Sequence, residues 1–268
     1  MPLPSFLIRP LAPLFLIAAL SACSLQAPTT SAPPAQTQET ETTLSLAQAT
    51  AKSGDHARAV KLYEKVLTAE PQNVAALMGA GDSYARIGQN SRAEAILLRA
   101  DELSPRNSDI LAILGRVHLA MNRPTDALGN YDAALKAQRG NVSALTGKGV
   151  ALDTLSRHAE AQAVYEYGLK LYPTNFILRS NYALSLALTG QQGRAISILQ
   201  ELVRDPVAAP HVRGNLALVY GLAGRENDAR ATLALDLSAQ EIEQNIRVYQ
   251  SLRRLMLDDK PIGSLVFA

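Results

Sequence analysis

An alanine recurs at a constant interval of 34 residues along most of this 268-residue chain. The six alanines in this register are Ala59, Ala93, Ala127, Ala161, Ala195 and Ala229. A fixed interval of this length indicates one small supersecondary unit repeated in tandem, and a period of 34 is typical of a helix–turn–helix unit. Such units stack into a solenoid because each one buries its apolar face on its neighbours. The sequence therefore predicts an all-α fold whose main functional feature is an extended surface.

Other positions repeat in the same phase, which argues against chance in a chain rich in alanine. A column of small residues in the first helix of the unit comprises Ala47, Gly81, Gly115, Gly149, Ala183 and Ala217. A turn column comprises Gly54, Gly88, Asn122, Ser156, Gly190 and Gly224. Small residues let two helices approach closely, since a larger side chain would wedge them apart. The turn column supplies residues that tolerate the left-handed conformation with which many helices end.

With these columns the chain resembles tetratricopeptide-repeat (TPR) proteins over roughly residues 40–235. The resemblance implies a TPR solenoid of about five to six helix–turn–helix repeats with a C-terminal capping helix, which we assign together to residues 44–257. Ser238 and Glu241 form a capping-box pair at the start of that closing helix, whose apolar residues then follow helical spacing. The tail over 258–268 ends in apolar residues, and it is either loose or tucked into the stack.

The N-terminal residues carry the pattern of a secreted bacterial lipoprotein. Arg9 precedes an apolar run over residues 11–20 that is too short to span a bilayer and is typical of a secretory signal. The run ends in Leu20-Ser21-Ala22-Cys23, which resembles a lipobox, and Cys23 is the only cysteine of the chain. We predict a lipoprotein signal peptide over 1–22 and lipid attachment at Cys23. An ordinary signal peptide with an incidental cysteine is the alternative.

Residues 23–43 are predicted to form a lipidated, flexible leader. The stretch after Cys23 is rich in Thr, Pro, Ala, Gln and Ser, and its scarce apolar residues cannot offset the entropy of ordering. In proteins with a lipobox, an aspartate directly after the cysteine usually signals retention at the inner membrane. The serine at position 24 therefore implies an outer-membrane anchor, facing the periplasm, if the cell is Gram-negative.

Composition and motifs disfavour nucleic-acid binding and catalysis. The net charge is only +2, and the cations are interleaved with Asp and Glu instead of forming a basic stripe. The four histidines fall in different repeats without metal-ligand spacing. No nucleophile elbow and no phosphate-binding glycine loop is present in the sequence. We therefore predict a chain that is not an enzyme, with no catalytic residue, cofactor, metal or small-molecule substrate.

The TPR resemblance implies that the first helices of the units line a concave groove for a protein partner. The candidate groove residues that it assigns are Met78, Asp82, Arg86, Asp109, Arg116, Asp153, Ile177, Leu184 and Leu188. This set changes from mixed polar to apolar toward the C-terminus. Ile177, Leu184 and Leu188 either accept an apolar helix or extended peptide, or are buried against the closing helix; the sequence leaves both open.

The fifth and sixth units resemble one group of TPR lipoproteins more closely than a generic repeat does. The segments are Asn181–Gly190 and Arg213–Gly224, separated by the spacer Asp205–Pro210. Together with the lipobox, the leader and the closing helix, they resemble the TadD family of tight-adherence (Flp) pilus assembly proteins. The resemblance implies an outer-membrane lipoprotein that assists assembly of the pilus or its secretin, with the secretin or other secretion-machinery subunits as partners. Another pilotin or biogenesis scaffold, and an adaptor for a periplasmic cell-wall enzyme, are the alternatives.

Overall fold

The computed structural model describes residues 35–207 and 209–267. The predicted signal peptide, Cys23 and the first part of the predicted leader lie outside these described residues. Within the described ranges the regular secondary structure is helical and contains no strand. The prediction of an all-α repeat solenoid is therefore confirmed.

Twelve helices of the described ranges form six consecutive hairpins, and two more helices follow them. The hairpins are α1 (Ala35–Lys52) with α2 (His56–Ala69), α3 (Val74–Arg86) with α4 (Asn90–Leu103), α5 (Ser108–Ala120) with α6 (Pro124–Ala137), α7 (Val142–Thr154) with α8 (His158–Leu171), α9 (Phe176–Leu188) with α10 (Gln192–Leu202), and α11 (Ala209–Leu222) with α12 (Glu226–Leu233). The last two helices are α13 (Ala239–Leu257) and α14 (Gly263–Val266). Each helix packs on its hairpin partner and on the next hairpin, so the core runs along the stack.

The turn inside each hairpin uses the left-handed conformation that the turn column predicts. All six residues of that column have φ between 57° and 89°, including the non-glycine residues Asn122 and Ser156. In the second to sixth hairpins the next N–H then bonds back across the helix end, as where Gln89 N donates to the carbonyl of Tyr84 at 2.9 Å. This is the Schellman arrangement, which satisfies carbonyl groups that the ending helix leaves free. One residue per hairpin therefore ends the first helix.

An asparagine begins the first helix of four successive hairpins. These N-caps are Asn73, Asn107, Asn141 and Asn175, again 34 residues apart. Each side-chain oxygen accepts a hydrogen bond from a backbone N–H of the first turn, at 3.0 Å from Ala76 N in the case of Asn73. Asparagine is among the best N-caps because its oxygen satisfies a donor that has no partner within the helix. These asparagines therefore form a third periodic column, in addition to the small-residue and turn columns.

The small-residue columns lie where helices touch. All six alanines of the 34-residue register are fully buried. The ring of Tyr131 on α6 lies between Gly115 of α5 and Gly147 of α7, and a Cβ on either glycine would approach the ring to 2.6 Å or 2.1 Å. An aromatic ring therefore fills the space that two absent side chains leave, and the three helices pack closely around it.

The N-terminal end of the stack begins earlier than the predicted domain boundary. Helix α1 begins at Ala35, so residues 35–43 of the predicted flexible leader instead belong to the first hairpin. The reason is packing: α1 lies on α2, Thr40 and Ala47 are buried, and Lys65 Nζ reaches Glu39 Oε1 at 2.9 Å. The N-terminal boundary of the repeat domain at residue 44 was therefore wrong.

The closing helix agrees with its prediction. Helix α13 starts after the N-cap Ser238, which shares a capping box with Glu241, and it ends at Leu257. Ile246, Tyr249 and Leu252 are its buried residues, and it packs on α11 and α12. Of the two possibilities for the tail, the tucked one is observed, because Ile262 is buried and α14 packs against α7. Among the described residues, no helix combines the length and apolar character needed to cross a membrane.

Candidate protein-binding groove

The first helices of the middle hairpins enclose a groove with a cavity of about 610 Å³. Its walls come from α3, α5 and α7, with the start of α9 at one end. The lining residues are Met78, Asp82, Arg86, Asp109, Ala112, Ile113, Arg116, Leu119, Tyr131, Val142, Ser143, Thr146, Gly147, Val150, Asn175 and Ile177. This volume falls within the range of about 300–1,000 Å³ that ligand-binding clefts occupy.

The α3–α5 half of the groove carries a charge cluster around Asp82. The Asp82 carboxylate accepts a hydrogen bond from Arg86 Nε at 2.9 Å and forms a second, very short ion pair with Arg116 of the next hairpin. The side chains of both arginines remain half exposed, so solvent screens these pairs and the pairs stabilise the fold little. Each arginine can therefore exchange its contact with Asp82 for a carboxylate on a bound partner.

A second acidic group, Asp109, is held by the N-cap of the next hairpin. Asn141 Nδ2 donates to Asp109 Oδ1 at 2.8 Å and to Ser108 Oγ at 2.9 Å. Ser108 Oγ in turn donates to the carbonyl of Ala134 at 3.0 Å. The same asparagine caps α7 by accepting from Ala144 N at 2.9 Å. One side chain thus fixes a groove carboxylate and joins two hairpins.

The floor of the groove includes Tyr131, although this residue lies on a second helix. Its ring is buried between Gly115 and Gly147, and burial raises the pKa of its hydroxyl. Burial, followed by the negative charge of Asp82, also raises the pKa of Tyr63 behind the same region. Both phenols therefore stay neutral across the physiological pH range.

The α7–α9 half of the groove has no charged lining residue and mixes apolar side chains with the polar Ser143 and Asn175. Val142 and Val150 are partly buried there, and the hydroxyl of Thr146 donates to the carbonyl of Val142 at 2.8 Å. Ile177, at the far end, is 49% exposed. The groove therefore offers charged side chains at one end and an uncharged surface that ends at Ile177 at the other. Such a surface suits a peptide segment that carries both kinds of side chain.

The structure brings six of the nine predicted groove residues together in this cavity. These are Met78, Asp82, Arg86, Asp109, Arg116 and Ile177. The charged residues of this set lie on α3 and α5, and Ile177 lies at the α9 end of the cavity.

Asp153 does not line the groove, and its placement there was wrong. Its side chain is 0% exposed, and its Oδ1 accepts from Ser185 Oγ at 2.8 Å and lies 2.7 Å from His158 Nδ1. Burial raises the pKa of Asp153, while the hydrogen bonds from His158 and Ser185 act in the opposite direction. The residue points between two hairpins because those two polar partners lie there.

Leu184 and Leu188 belong to the hydrophobic interior of the stack and do not line this cavity. Leu184 is 4% exposed, and Leu188 packs against the same hydrophobic cluster. That cluster also contains Leu252 of α13 and Ile262 of the tail. These two leucines are therefore covered, whereas Ile177 remains accessible.

Sequence reasoning missed Tyr131 and Asn175 as groove residues. A repeat register assigns the groove to the first helices alone, whereas Tyr131 reaches it through the gap at Gly115 and Gly147. The signal was present, since a large residue facing two glycines of neighbouring units predicts an inserted ring. Asn175 could have been found from the 34-residue asparagine column.

Three histidines outside the groove have ordinary structural contacts. His118 Nε2 lies 2.9 Å from Glu94 Oε1, His158 contacts Asp153, and His211 stacks on Phe176 with ring centroids 5.9 Å apart. Over residues 35–207 and 209–267, the structure holds no group of three or more His, Cys, Asp or Glu side chains suited to a metal ion.

Comparisons with known proteins agree on the repeat. Two tetratricopeptide-repeat profiles match residues 51–116 and 114–176. An uncharacterized protein of Sinorhizobium fredii, y4yS, is 32% identical over 136 residues, which cover 47% of this chain and 73% of that protein.

Solved structures show the same architecture. A tetratricopeptide repeat protein from Parabacteroides merdae superposes with a TM-score of 0.66 at 15% identity, covering 81% of this chain and 86% of that one. PilW, described as a widely conserved type IV pilus biogenesis factor, superposes with a TM-score of 0.65 at 20% identity, covering 78% of this chain and 98% of that one. At these identities the likeness concerns the fold alone.

Proposed function

Because this chain belongs to the tetratricopeptide-repeat family, we propose that it is a lipid-anchored scaffold of the cell envelope that holds a protein partner in its concave groove. The scaffold performs no chemistry itself. It sits on the periplasmic side of the outer membrane and assists assembly of a tight-adherence (Flp) pilus or its secretin.

The observation that carries the proposal is the continuous groove across α3, α5, α7 and the start of α9. Its cavity of about 610 Å³ has room for several side chains of a bound segment. A solenoid presents such an extended concave surface because each repeat is rotated slightly from the last. The repeats therefore imply a protein partner, and the groove is where it would contact this chain.

The groove chemistry narrows the kind of segment that fits. Asp82, Asp109, Arg86 and Arg116 all line one half, so a partner segment that carries both acidic and basic groups can exchange contacts with them. The other half has no charged lining residue and suits uncharged side chains, with an apolar one against the half-exposed Ile177. A mixed-charge helix or extended peptide with an apolar end meets both requirements.

The envelope role is supported by the sequence at the N-terminus and by relatives of similar fold. Leu20-Ser21-Ala22-Cys23 resembles a lipobox, and the fifth and sixth units resemble TadD proteins. PilW, whose description names it a pilus biogenesis factor, shares the solenoid architecture over 78% of this chain. These similarities motivate a pilus-related partner, which only an experiment on the partner can test.

Site-directed photo-crosslinking in living cells tests the groove and the partner together. A photoreactive amino acid replaces Ile177 in the groove in one strain and Leu98 on α4 in the control strain. The two positions are matched, because both are apolar side chains that are 49% exposed, and Leu98 is absent from the groove lining. We expect a pilus secretin or another subunit of the pilus machinery to be crosslinked at position 177 and not at position 98.

Other outcomes decide against parts of the proposal. Crosslinking of the same pilus subunit from both positions would place the partner outside the groove. Crosslinking of a cell-wall hydrolase or synthase at position 177 would replace the pilus role with that of an enzyme adaptor. Absence of any crosslink at position 177 in cells assembling the pilus would exclude the groove as the binding site.

A further inference from the structure

The segment after α13, residues 258–267, is docked on the turn end of α7. Ile262 is 4% exposed and lies in the same hydrophobic cluster as Leu184 and Leu252. Helix α14 follows directly and packs against α7. The chain therefore leaves the sixth hairpin, on which α13 rests, and comes back to the fourth.

Gly263 lies where there is no space for a side chain. A Cβ placed on it would be 2.0 Å from the carbonyl oxygen of Asp153 and 3.5 Å from Cε1 of His158. The oxygen belongs to the backbone of α7, so it cannot rotate away as a flexible side chain could. The contact therefore selects a glycine directly after the buried Ile262.

The rest of the segment is held by few contacts. Residues 258–261 are exposed, and Asp259 has a φ of 53°, so the connection to α13 is a tight polar turn. Ser264 and Leu265 are exposed, while Val266 and Phe267 are only partly buried. A segment with so few buried residues opens locally at a lower free energy than the stack unfolds.

We infer that the surface at the end of α7, where Ile262 and Gly263 dock, is a peptide-binding site and that the C-terminal segment is its built-in occupant. The site takes a short segment in which a large aliphatic residue is followed by glycine, which is the chemistry of Ile262-Gly263. A partner segment of the same kind binds there when the built-in one leaves. This inference goes beyond the scaffold role above, since it depends neither on the lipid anchor nor on a pilus partner.

Tethering explains why the chain's own segment occupies the site at rest. A short linker gives an attached ligand an effective concentration in the millimolar range, so a free peptide must outcompete it. Removal of the segment, or a change that prevents its docking, should therefore make the site available to a peptide in solution.

Fluorescence anisotropy with a labelled synthetic peptide of residues 258–268 tests the site. The proteins are the full chain and the full chain with Gly263→Ala, and the matched control is Ser264→Ala at the exposed neighbouring residue. We expect saturable binding to the Gly263→Ala chain, and binding at least roughly tenfold weaker to the unchanged and Ser264→Ala chains. A peptide that itself carries Gly263→Ala should lose at least roughly tenfold in affinity for the Gly263→Ala chain.

Equal binding of the peptide to all three chains, binding to none of them, or equal affinity of the two peptides would overturn the inference. Hydrogen exchange of the unchanged chain provides an independent measurement. The amides of Leu265, Val266 and Phe267 should exchange at least roughly 100-fold faster than those in the middle of α13. Exchange of both groups at one common rate would show that the segment is a fixed part of the core, and the inference would then fail.

Discussion

Adding a single methyl group at Gly147 should destabilise the protein, although alanine is the better helix former. A Cβ at this position would lie 2.1 Å from Cζ of Tyr131 and 2.4 Å from its Cε1. Ordinary carbon contacts are about 3.5–4.0 Å, so the ring must move by roughly 1 Å or more. It cannot move freely, because Gly115 already holds the ring from the other side.

The magnitude follows from two opposing terms. Overpacking of a buried site costs about 1–3 kcal/mol, and a displacement of this size belongs at the upper end. The higher helix propensity of alanine returns about 1 kcal/mol. Gly147→Ala should therefore lower the free energy of unfolding by about 2 kcal/mol. For a domain of this length that corresponds to a fall of about 4–8 °C in Tm.

Gly129→Ala is the matched control, because it makes the same substitution inside α6 where a Cβ meets nothing within 4 Å. Only the propensity term acts there, so this variant should gain about 0.5–1 kcal/mol and melt at a higher temperature. Differential scanning calorimetry of the unchanged protein and the two variants measures the direction of each Tm shift. If the two variants shift Tm in the same direction, the wedged ring of Tyr131 is not what makes glycine necessary at position 147.

Two further predictions concern Asp153 and Cys23. Burial raises the pKa of Asp153 above its ordinary value of 3.8, so its carboxyl stabilises the fold at low pH and loses that contribution as pH rises through the folded-state pKa. An asparagine at this position does not ionise and keeps an oxygen for Ser185, so Asp153→Asn should gain stability relative to the unchanged protein between about pH 4 and about pH 7. Urea unfolding at both pH values measures this, and a stability difference that is the same at both would refute it. Cys23→Ser should move the protein out of the outer-membrane fraction of lysed cells, and retention there would mean that lipid on Cys23 is not the anchor.

The repeat framework could be predicted because its signals are local or strictly periodic. The buried Ala127 and Ala161, and the left-handed Asn122 and Ser156, stand in columns that a constant interval reveals. The closing helix could be predicted from the capping box at Ser238, which needs only four consecutive residues. These features depend on backbone geometry and near neighbours, which the sequence specifies directly.

The missed features depend on contacts between distant parts of the chain. The polar stretch from Ala35 is helical because α2 covers it, not because its own pattern is strongly amphipathic. Asp153 occupies a groove position in the register, yet Ser185 of the next hairpin draws it inward. The surface on which Ile262 is buried includes residues more than two repeats earlier in the chain. No local pattern could show any of these three contacts.

The double role of Asn141 has a consequence for how this array can change in length. Its oxygen starts α7, while its amide nitrogen reaches back to Ser108 and Asp109 at the start of α5. Duplication or loss of one complete 34-residue unit outside residues 108–141 would leave Asn141 at the same distance from Ser108 and Asp109. An insertion of one residue between α6 and Asn141 would break it. Growth by whole units is therefore the route that keeps neighbouring hairpins in phase.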